Sequence, residues 1–168
     1  TEENKNYYIY ENSRGANNPK ASFTSEEIIE IRTRYVNESA KRLGLTNLKA
    51  ICGRAEDLAH TELRESFDVC TARAVANLPV LSELCIPFVK VGGSFIAMKG
   101  RLLDEEINSS KIACEKLGTE RLCDDIIKRY TLILGGTEDE RAIICLKKIS
   151  STSSKYPRNY SQIKKKHL

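Results

Sequence analysis

Arg73 is the charged residue whose place in the sequence is most informative. It comes directly after the apolar run of residues 67–72, where a buried strand is predicted to end. A guanidinium at the end of a strand can bind a carboxylate through two parallel hydrogen bonds. It can equally form a structural ion pair, for which Asp68, Glu83 and Asp57 are candidate partners. The pattern therefore predicts either an anion-binding arginine or a structural ion pair.

A polar stretch, GRAED at residues 53–57, likewise follows an apolar run that is predicted to be a strand. Gly53 permits a ligand to approach the backbone closely. The peptide groups of Ala55 match the donor and the acceptor on the edge of an adenine ring, and Glu56 can accept a hydrogen bond from an amine or a hydroxyl. From the residues alone, a polar loop in which Glu56 caps the following segment is the other interpretation.

Further cations lie near the ends of later strands. Lys99 ends the run FIAMKG, and Arg141 and Lys147 lie in the last predicted strand. These side chains are either phosphate contacts at the rim of the sheet or ordinary solvated cations. His60 follows the GRAED stretch, and a single histidine of this kind is more often a surface or packed residue than a catalyst.

The cysteines and histidines do not form a pattern typical of metal binding or nucleophilic catalysis. None of the six cysteines belongs to a CxxC pair, so no metal site is predicted. Most of them lie inside apolar runs, which favours buried, reduced thiols in a cytosolic protein. The sequence also offers no Ser/His/Asp or Cys/His set.

An alternation of helices and strands positions these residues. Helices are predicted at residues 24–43, 77–89 and 102–117, and strands at residues 48–52, 67–72, 94–98, 123–134 and 141–149. The glycines at positions 92 and 93 predict a turn, and GGTEDE predicts a hairpin loop longer than the tightest turns. This order indicates an α/β fold with a mostly parallel sheet and a C-terminal antiparallel hairpin. Ligands of such sheets bind beyond the carboxyl ends of the strands.

Length and charge suggest one domain with a distinct C-terminal end. The chain has 168 residues, and no apolar run approaches the roughly 20 residues of a membrane span. Residues 155–168 contain five basic residues and no acid, whereas the remainder has 22 basic and 23 acidic residues. We predict that residues 1–24 are irregular or form a short strand followed by a loop, that residues 25–150 form a domain, and that residues 151–168 form a basic tail. The tail either binds a polyanion such as RNA or merely increases solubility.

Several stretches resemble the bacterial small-subunit ribosomal RNA guanine-N7 methyltransferases, the glucose-inhibited division protein B family. They are GRAED, FDVCTARAVANLPVLSELCIPFVKVGGSFIAMKG, DERAIICLKKI and KYPRNYSQIKKKHL. The resemblance is continuous from about Tyr35 to the C-terminus. It implies a cytoplasmic, Rossmann-like class I methyltransferase that uses S-adenosyl-L-methionine, with neither a metal nor a membrane. The implied substrate is 16S rRNA or the small ribosomal subunit, methylated at N7 of one guanosine in the decoding-region loop.

The resemblance also assigns roles to residues. It implies that Ala55, Glu56 and Arg73 contact S-adenosyl-L-methionine. We expect Lys99, Arg141 and, in the basic tail, Lys164 to contact RNA. No catalytic residue is predicted, since guanine N7 carries a lone pair and no proton, so that the reaction requires positioning more than a general base.

The N-terminal part departs from the family. The family has a glycine-rich loop after its first strand, whereas this chain has only Gly15 before Gly44. The family's ribose-binding acid falls on Glu27, which is either that ligand or an acid at a helix N-terminus. We therefore expect an incomplete N-terminal unit and weak or no binding of S-adenosyl-L-methionine by this chain alone. A truncated, non-catalytic RNA-binding remnant is the alternative function.

Overall fold

The computed structural model of the chain describes residues 6–10, 25–73, 76–102 and 104–168, without the side chains of residues 6–10, 25–29 and 134. Two compact units are present, Thr1–Ala55 and Glu56–Leu168. Among the described residues, no helix is long and apolar enough to cross a membrane. The same residues contain no group of three or more His, Cys, Asp or Glu side chains that could hold a metal ion.

The described part of the first unit comprises the strand β1 (Asn6–Tyr10), the helix α1 (Ser25–Arg42) and the strand β2 (Leu48–Cys52), which pairs in parallel with β1. The predicted helix and the predicted strand at residues 48–52 are confirmed. Helix α1 ends shortly before Gly44, whose φ of 68° is favourable for glycine. The glycine-poor stretch of residues 11–24, including the predicted helix cap at Thr24, lies outside the described residues.

The described elements of the second unit are α2 (Ala55–Leu58), whose first residue belongs to the first unit, β3 (Phe67–Arg73), α3 (Leu78–Cys85), β4 (Val89–Lys99), α4 (Asp104–Lys116), β5 (Ile127–Leu134), β6 (Thr137–Lys147) and α5 (Tyr160–Lys165). The strands form a four-stranded mixed sheet in the order β3-β4-β6-β5. Strand β3 runs parallel to β4, whereas β6 is antiparallel to both β4 and β5. The predicted α/β class with a closing antiparallel hairpin is confirmed.

The prediction of a turn at Gly92 and Gly93 is wrong, because both glycines lie inside β4. The register between β3 and β4 shifts between Phe67 and Val69, which marks an irregularity in the pairing. Gly92 has a φ of 88°, and a Cβ on Gly93 would lie 2.5 Å from the carbonyl oxygen of Asp68. The glycines therefore allow the strand to bend past its neighbour instead of ending it.

The hairpin between β5 and β6 is tighter than predicted. Leu134 pairs with Thr137, so that Gly135 and Gly136 alone form the turn, with φ angles of 58° and 84°. Two consecutive positive φ angles are typical of the primed turns that match the twist of a hairpin. The acidic residues of the GGTEDE stretch consequently belong to the edge of the sheet.

One face of the four-stranded sheet forms the core together with α3 and α4. Alternate residues of β4 and β6 face these helices because side chains alternate along a strand. The buried set includes Phe95, Ala97, Ile144, Leu146, Leu78, Leu81, Ile107 and Cys114. The prediction that α3 continues to about Val89 is wrong, since the α-helix ends at Cys85 and a short 3-10 turn containing Pro87 follows.

The cysteines are less buried than predicted. All of them are free, but among them only Cys114 is buried, and burial raises the pKa of its thiol to about 11. Cys52 and Cys145 are exposed. In β6, Ile144 and Leu146 face the core, so the intervening Cys145 lies on the other face of the sheet. An apolar run therefore did not imply that each of its cysteines is buried.

The C-terminal residues 151–168 belong to the second unit, and hydrogen bonds from Arg64 bind their first part to the remainder of that unit. The Nη1 atom of Arg64 donates to the carbonyl oxygens of Ala59 and Tyr156 at 3.1 and 2.8 Å. Its Nη2 atom donates to those of Thr152 and Ser153 at 2.8 and 3.0 Å. One guanidinium thus joins the segment after α2 to the beginning of the tail.

Two ion pairs with one buried partner also stabilise this arrangement. Lys148, whose side chain is 0 % exposed, lies 2.7 Å from Glu65, which also accepts a hydrogen bond from the Thr152 amide at 2.7 Å. Burial raises the pKa of Glu65, but its hydrogen bonds outweigh this effect and the pKa is lowered. Arg158 donates to the buried carboxylate of Glu83, which raises the arginine's pKa. The tail is therefore a packed part of the second unit.

Candidate functional site

The carboxyl ends of β3 and β4 lie at one edge of the sheet, which we call the carboxyl edge. Arg73 ends β3 and pairs with Met98, while Lys99 ends β4 and pairs with Ala142 of β6. Because β6 runs antiparallel to β4, Arg141 lies at the same edge. The structure thus brings together three of the cations that the sequence analysis selected.

These cations do not share one face of the sheet. Arg73 and Arg141 lie on the face that includes Met98, whereas Lys99 lies on the face covered by α3 and α4. Two surfaces of different character therefore meet at the carboxyl edge. One is open and carries the arginines, and the other is packed beneath helices.

Arg73 is exposed and forms no ion pair with any other described residue. Two of its predicted partners are engaged elsewhere, since Asp68 lies 2.5 Å from Lys90 and Glu83 lies 2.7 Å from Arg158. The structural ion pair that competed with anion binding in the sequence analysis is therefore not formed within the described part of the chain. The guanidinium is accessible to a carboxylate or a phosphate.

Arg141 is partly engaged within its own strand. Its Nη1 atom contacts the Asp139 carboxylate and donates to the Glu140 carbonyl oxygen at 2.9 Å. The side chain is nevertheless 43 % exposed. The remaining guanidinium donors can reach a ligand on the open face, and the RNA contact stays a prediction.

Lys99 is more enclosed than a solvated cation would be. Its side chain is 14 % exposed, and its Nζ atom lies 2.7 Å from Glu106 and 2.8 Å from the carbonyl oxygen of Ala76. Glu106 also accepts a hydrogen bond from the Leu78 amide at 2.5 Å. The geometry of Lys99 therefore lends no support to the predicted RNA contact.

Ala55 and Glu56 are the first two residues of α2, and both are buried, at 7 % and 4 % exposure. Their predicted contact with the cofactor stays a prediction. Glu27 lies in the first turn of α1, which agrees with an acid at a helix N-terminus. Its side chain lies outside the described residues.

His167, which follows the C-terminal helix α5, reaches the carboxyl edge. The Nε2 atom of His167 lies 3.4 Å from the side-chain nitrogen of Asn77, the residue that precedes α3. Its Nδ1 atom lies 3.1 Å from the carbonyl oxygen of Ile163. Lys164 is exposed and lies in the last turn of α5. The basic tail is thus anchored beside the strand ends, and Lys164 belongs to it.

The sequence analysis missed Glu106 as a participant in this site. It follows Asp104 and Glu105, and three acids at the start of a helix are usually explained by the helix dipole. No signal in the sequence pointed to Glu106, because Asn77 is a favourable N-cap residue and only the structure shows that it forms no side-chain capping hydrogen bond. A helix start without a local cap needs another acceptor for its amides.

Comparison with known families decides the lineage of this chain. A model of the GidB family, described as rRNA small subunit methyltransferase G, matches residues 18–133. The chain belongs to the rRNA small subunit methyltransferase G family. The match includes Ala55, Glu56, Arg73 and Lys99, so that the resemblance stated from the motifs is confirmed.

Individual members of the rRNA small subunit methyltransferase G family are similar in sequence to most of this chain. The Clostridium perfringens (strain 13) protein of this name is 45 % identical over 139 residues, which cover 82 % of this chain and 56 % of that protein. The protein from Lactobacillus acidophilus is 39 % identical over 152 residues, covering 90 % and 61 %. This chain therefore spans about 56–61 % of the length of these relatives.

A solved structure supports the fold. The crystal structure of M. jannaschii TYW2 in complex with AdoMet is similar to this chain with a TM-score of 0.55 and 16 % identity. The similarity covers 87 % of this chain and 59 % of that chain. At this identity the likeness shows a shared Rossmann-like fold, in agreement with the family assignment.

Proposed function

We propose that the protein transfers a methyl group from S-adenosyl-L-methionine to N7 of a guanine in 16S rRNA. Membership of the rRNA small subunit methyltransferase G family is the observation that carries this proposal. The exposed guanidinium of Arg73 at the carboxyl edge supports it, because ligands of α/β sheets bind beyond the carboxyl ends of the strands. None of the comparisons favours the alternative of a non-catalytic remnant.

The residues present suit a cofactor that carries a carboxylate. Arg73 is accessible and has no ion-pair partner among the described residues, so its guanidinium can hold the methionine carboxylate through two hydrogen bonds. Ala55 and Glu56 would contact the remainder of the cofactor. When bound, S-adenosyl-L-methionine would supply a methyl group on a sulfonium, and the in-plane lone pair of guanine N7 would bond to that methyl carbon as its bond to sulfur breaks and a neutral thioether leaves.

The protein residues have no proton to remove in this chemistry. Guanine N7 is unprotonated before the reaction, which agrees with the absence of a Ser/His/Asp or Cys/His set in the sequence. The protein contributes orientation and exclusion of water. The hydrogen bonds that order the carboxyl edge would therefore serve the reaction by fixing the groups that bind the cofactor.

The open face and the tail would bind the RNA backbone. Arg141 lies on the same face as Arg73, and Lys164 belongs to the tail that contacts Asn77. Phosphate contacts fix the register of a nucleic acid on a protein without reading its sequence. We propose 16S rRNA or the small ribosomal subunit as the partner, and hence the cytoplasm, where ribosomes are assembled, as the location.

Transfer of labelled methyl groups tests this function. The protein as the cell makes it is incubated with unmodified 16S rRNA, or with small subunits that contain it, and labelled S-adenosyl-L-methionine. The expected result is stoichiometric labelling at one guanine. Cleavage of the RNA chain after borohydride and aniline treatment then identifies the product as N7-methylguanine.

Two results would contradict the proposal. Labelling of another atom or base would show a different methyltransferase. Binding of 16S rRNA without any methyl transfer, to the naked RNA or to the subunit, would favour the non-catalytic remnant.

A further inference from the structure

Glu106 connects three elements at the carboxyl edge through a single carboxylate oxygen. Its Oε1 atom lies 2.7 Å from Nζ of Lys99, at the end of β4, and accepts a hydrogen bond from the Leu78 amide, at the start of α3. Glu106 itself lies in the first turn of α4. Lys99 completes the arrangement by donating to the carbonyl oxygen of Ala76 at 2.8 Å.

The backbone of Ala76 and Leu78 is held by this arrangement, next to the strand pair that contains Arg73. On one side, Arg73 is aligned by its pairing with Met98 in the β3–β4 ladder. On the other side, Ala76 and Leu78 are bound by the Lys99 ammonium and the Glu106 carboxylate. Asn77 provides no side-chain cap for α3. The amide of Leu78 would otherwise need water as its partner.

Lys99 is poorly suited to hold a phosphate in this geometry. An ammonium has three N–H donors, and two of those of Lys99 are engaged with Glu106 and Ala76. With its side chain 14 % exposed and a carboxylate 2.7 Å away, the charge of Lys99 is already neutralised locally. Its role is therefore internal to the protein.

We propose that Lys99 and Glu106 are positioning residues, which hold the start of α3 and the end of β4, the strand whose Met98 pairs with Arg73, and thereby orient the cofactor-binding arginine. The inference rests on the proposed function. It assigns Glu106 a part in methyl transfer and gives Lys99 a role other than the RNA contact expected from the sequence. The two side chains act as one unit, so that loss of either has the same consequence.

Glu106→Gln and Lys99→Met test the proposal, with Glu105→Gln as a matched control in the same helical turn. Both test variants are expected to weaken S-adenosyl-L-methionine binding and to lower kcat by about tenfold or more, since small misplacements of binding groups are costly. The double variant is expected to lose no more than either single variant. Glu105 is exposed, and its replacement is expected to change neither quantity.

The salt dependence of RNA binding separates positioning from phosphate contact. A lysine that contacts one phosphate contributes about 0.7–0.9 to the slope of log K against log salt concentration. Lys99→Met is expected to leave this slope unchanged, whereas Lys164→Met is expected to reduce it by about that amount. A reduced slope in Lys99→Met with a normal Glu106→Gln enzyme would overturn the proposal.

Hydrogen exchange of the Leu78 amide provides a readout that does not depend on activity. Exchange is expected to accelerate in Glu106→Gln and Lys99→Met, but not in Glu105→Gln, while melting curves confirm that all variants are folded. Unchanged exchange would overturn the proposal. Failure of the wild-type protein to methylate 16S rRNA would instead contradict the proposed function. Hydrogen exchange of the Leu78 amide would then still test whether Lys99 and Glu106 hold this backbone in place.

Discussion

Replacement of Arg158 by methionine removes a guanidinium from a carboxylate that has no access to solvent. The Glu83 side chain is 0 % exposed and accepts hydrogen bonds from Nε and Nη2 of Arg158 at 2.9 and 2.7 Å. The backbone amide of residue 158 donates to the same carboxylate at 2.9 Å and remains in the variant. Methionine retains most of the aliphatic contact, so the change removes the guanidinium together with its hydrogen bonds to Glu83 and, at 3.1 Å, to the carbonyl oxygen of Lys166.

The expected cost is about 3 kcal/mol. Removing one partner of a buried ion pair costs about 3–5 kcal/mol, because the other charge stays buried without compensation. The retained amide hydrogen bond places the value near the lower end of this range. For a chain of this length, a loss of 3 kcal/mol lowers the melting temperature by about 6–12 °C.

Urea denaturation followed by circular dichroism measures the loss, which should appear as a lower midpoint at an unchanged slope. Arg101→Met is the matched control, since Arg101 lies 3.4 Å from Glu140 with both side chains more than half exposed. Exposed pairs of this kind contribute about 0–1 kcal/mol. Adding Glu83→Gln to Arg158→Met is expected to restore part of the stability, because a neutral amide is less costly to bury than a charge.

Either of two results would contradict the dependence of the buried Glu83 carboxylate on Arg158. Arg158→Met could cost no more than Arg101→Met, which would show that the Glu83 carboxylate does not depend on its partner. Alternatively, Glu83→Gln could destabilise the Arg158→Met variant further. Either result would remove the argument that this pair anchors the tail.

Three further outcomes are expected. Gly93→Ala should destabilise the second unit by about 1–3 kcal/mol in calorimetry, because the new Cβ would lie 2.5 Å from the carbonyl oxygen of Asp68. Cys145 should be alkylated rapidly in the native protein and Cys114 only after denaturation, as mass spectrometry can determine, since burial raises the pKa of Cys114 to about 11. The pKa of Glu65 is lowered from 4.5 in the folded protein, so its contribution to stability is present above that pH and is lost as the pH falls through the folded pKa. The stability difference between wild type and Glu65→Gln should therefore shrink on acidification in urea denaturation.

Local signals predicted most of the elements correctly. The helix that ends before Gly44, the strand at residues 48–52 and the closing hairpin follow from periodicity and turn residues. The errors in the turns arose because glycine occurs both in turns and in bent strands. Gly92 and Gly93 allow a strand to bend, whereas Gly135 and Gly136 form a turn, and only the pairing of neighbouring strands distinguishes the two cases.

The candidate site was predictable in its parts and unpredictable in its contacts. The sequence places Arg73 at a strand end, and the motif resemblance connects it with a cofactor. Whether Arg73 or Lys99 carries an ion pair depends on which acid lies nearby in space. Glu106 lies seven positions from Lys99 but reaches it only because α4 packs over the carboxyl edge, and Arg158 and Glu83 are 75 positions apart.

Binding of S-adenosyl-L-methionine to wild type and Arg73→Ala, measured by titration calorimetry on the protein as the cell makes it, tests whether Arg73 holds the cofactor. We expect one site in the wild-type protein and an affinity about tenfold to a hundredfold lower in Arg73→Ala, the loss expected for a charge-assisted hydrogen bond. Arg73→Ala should melt at the same temperature as wild type, because Arg73 is exposed and forms no ion pair with the described residues. Equal affinities in the two proteins would contradict the account.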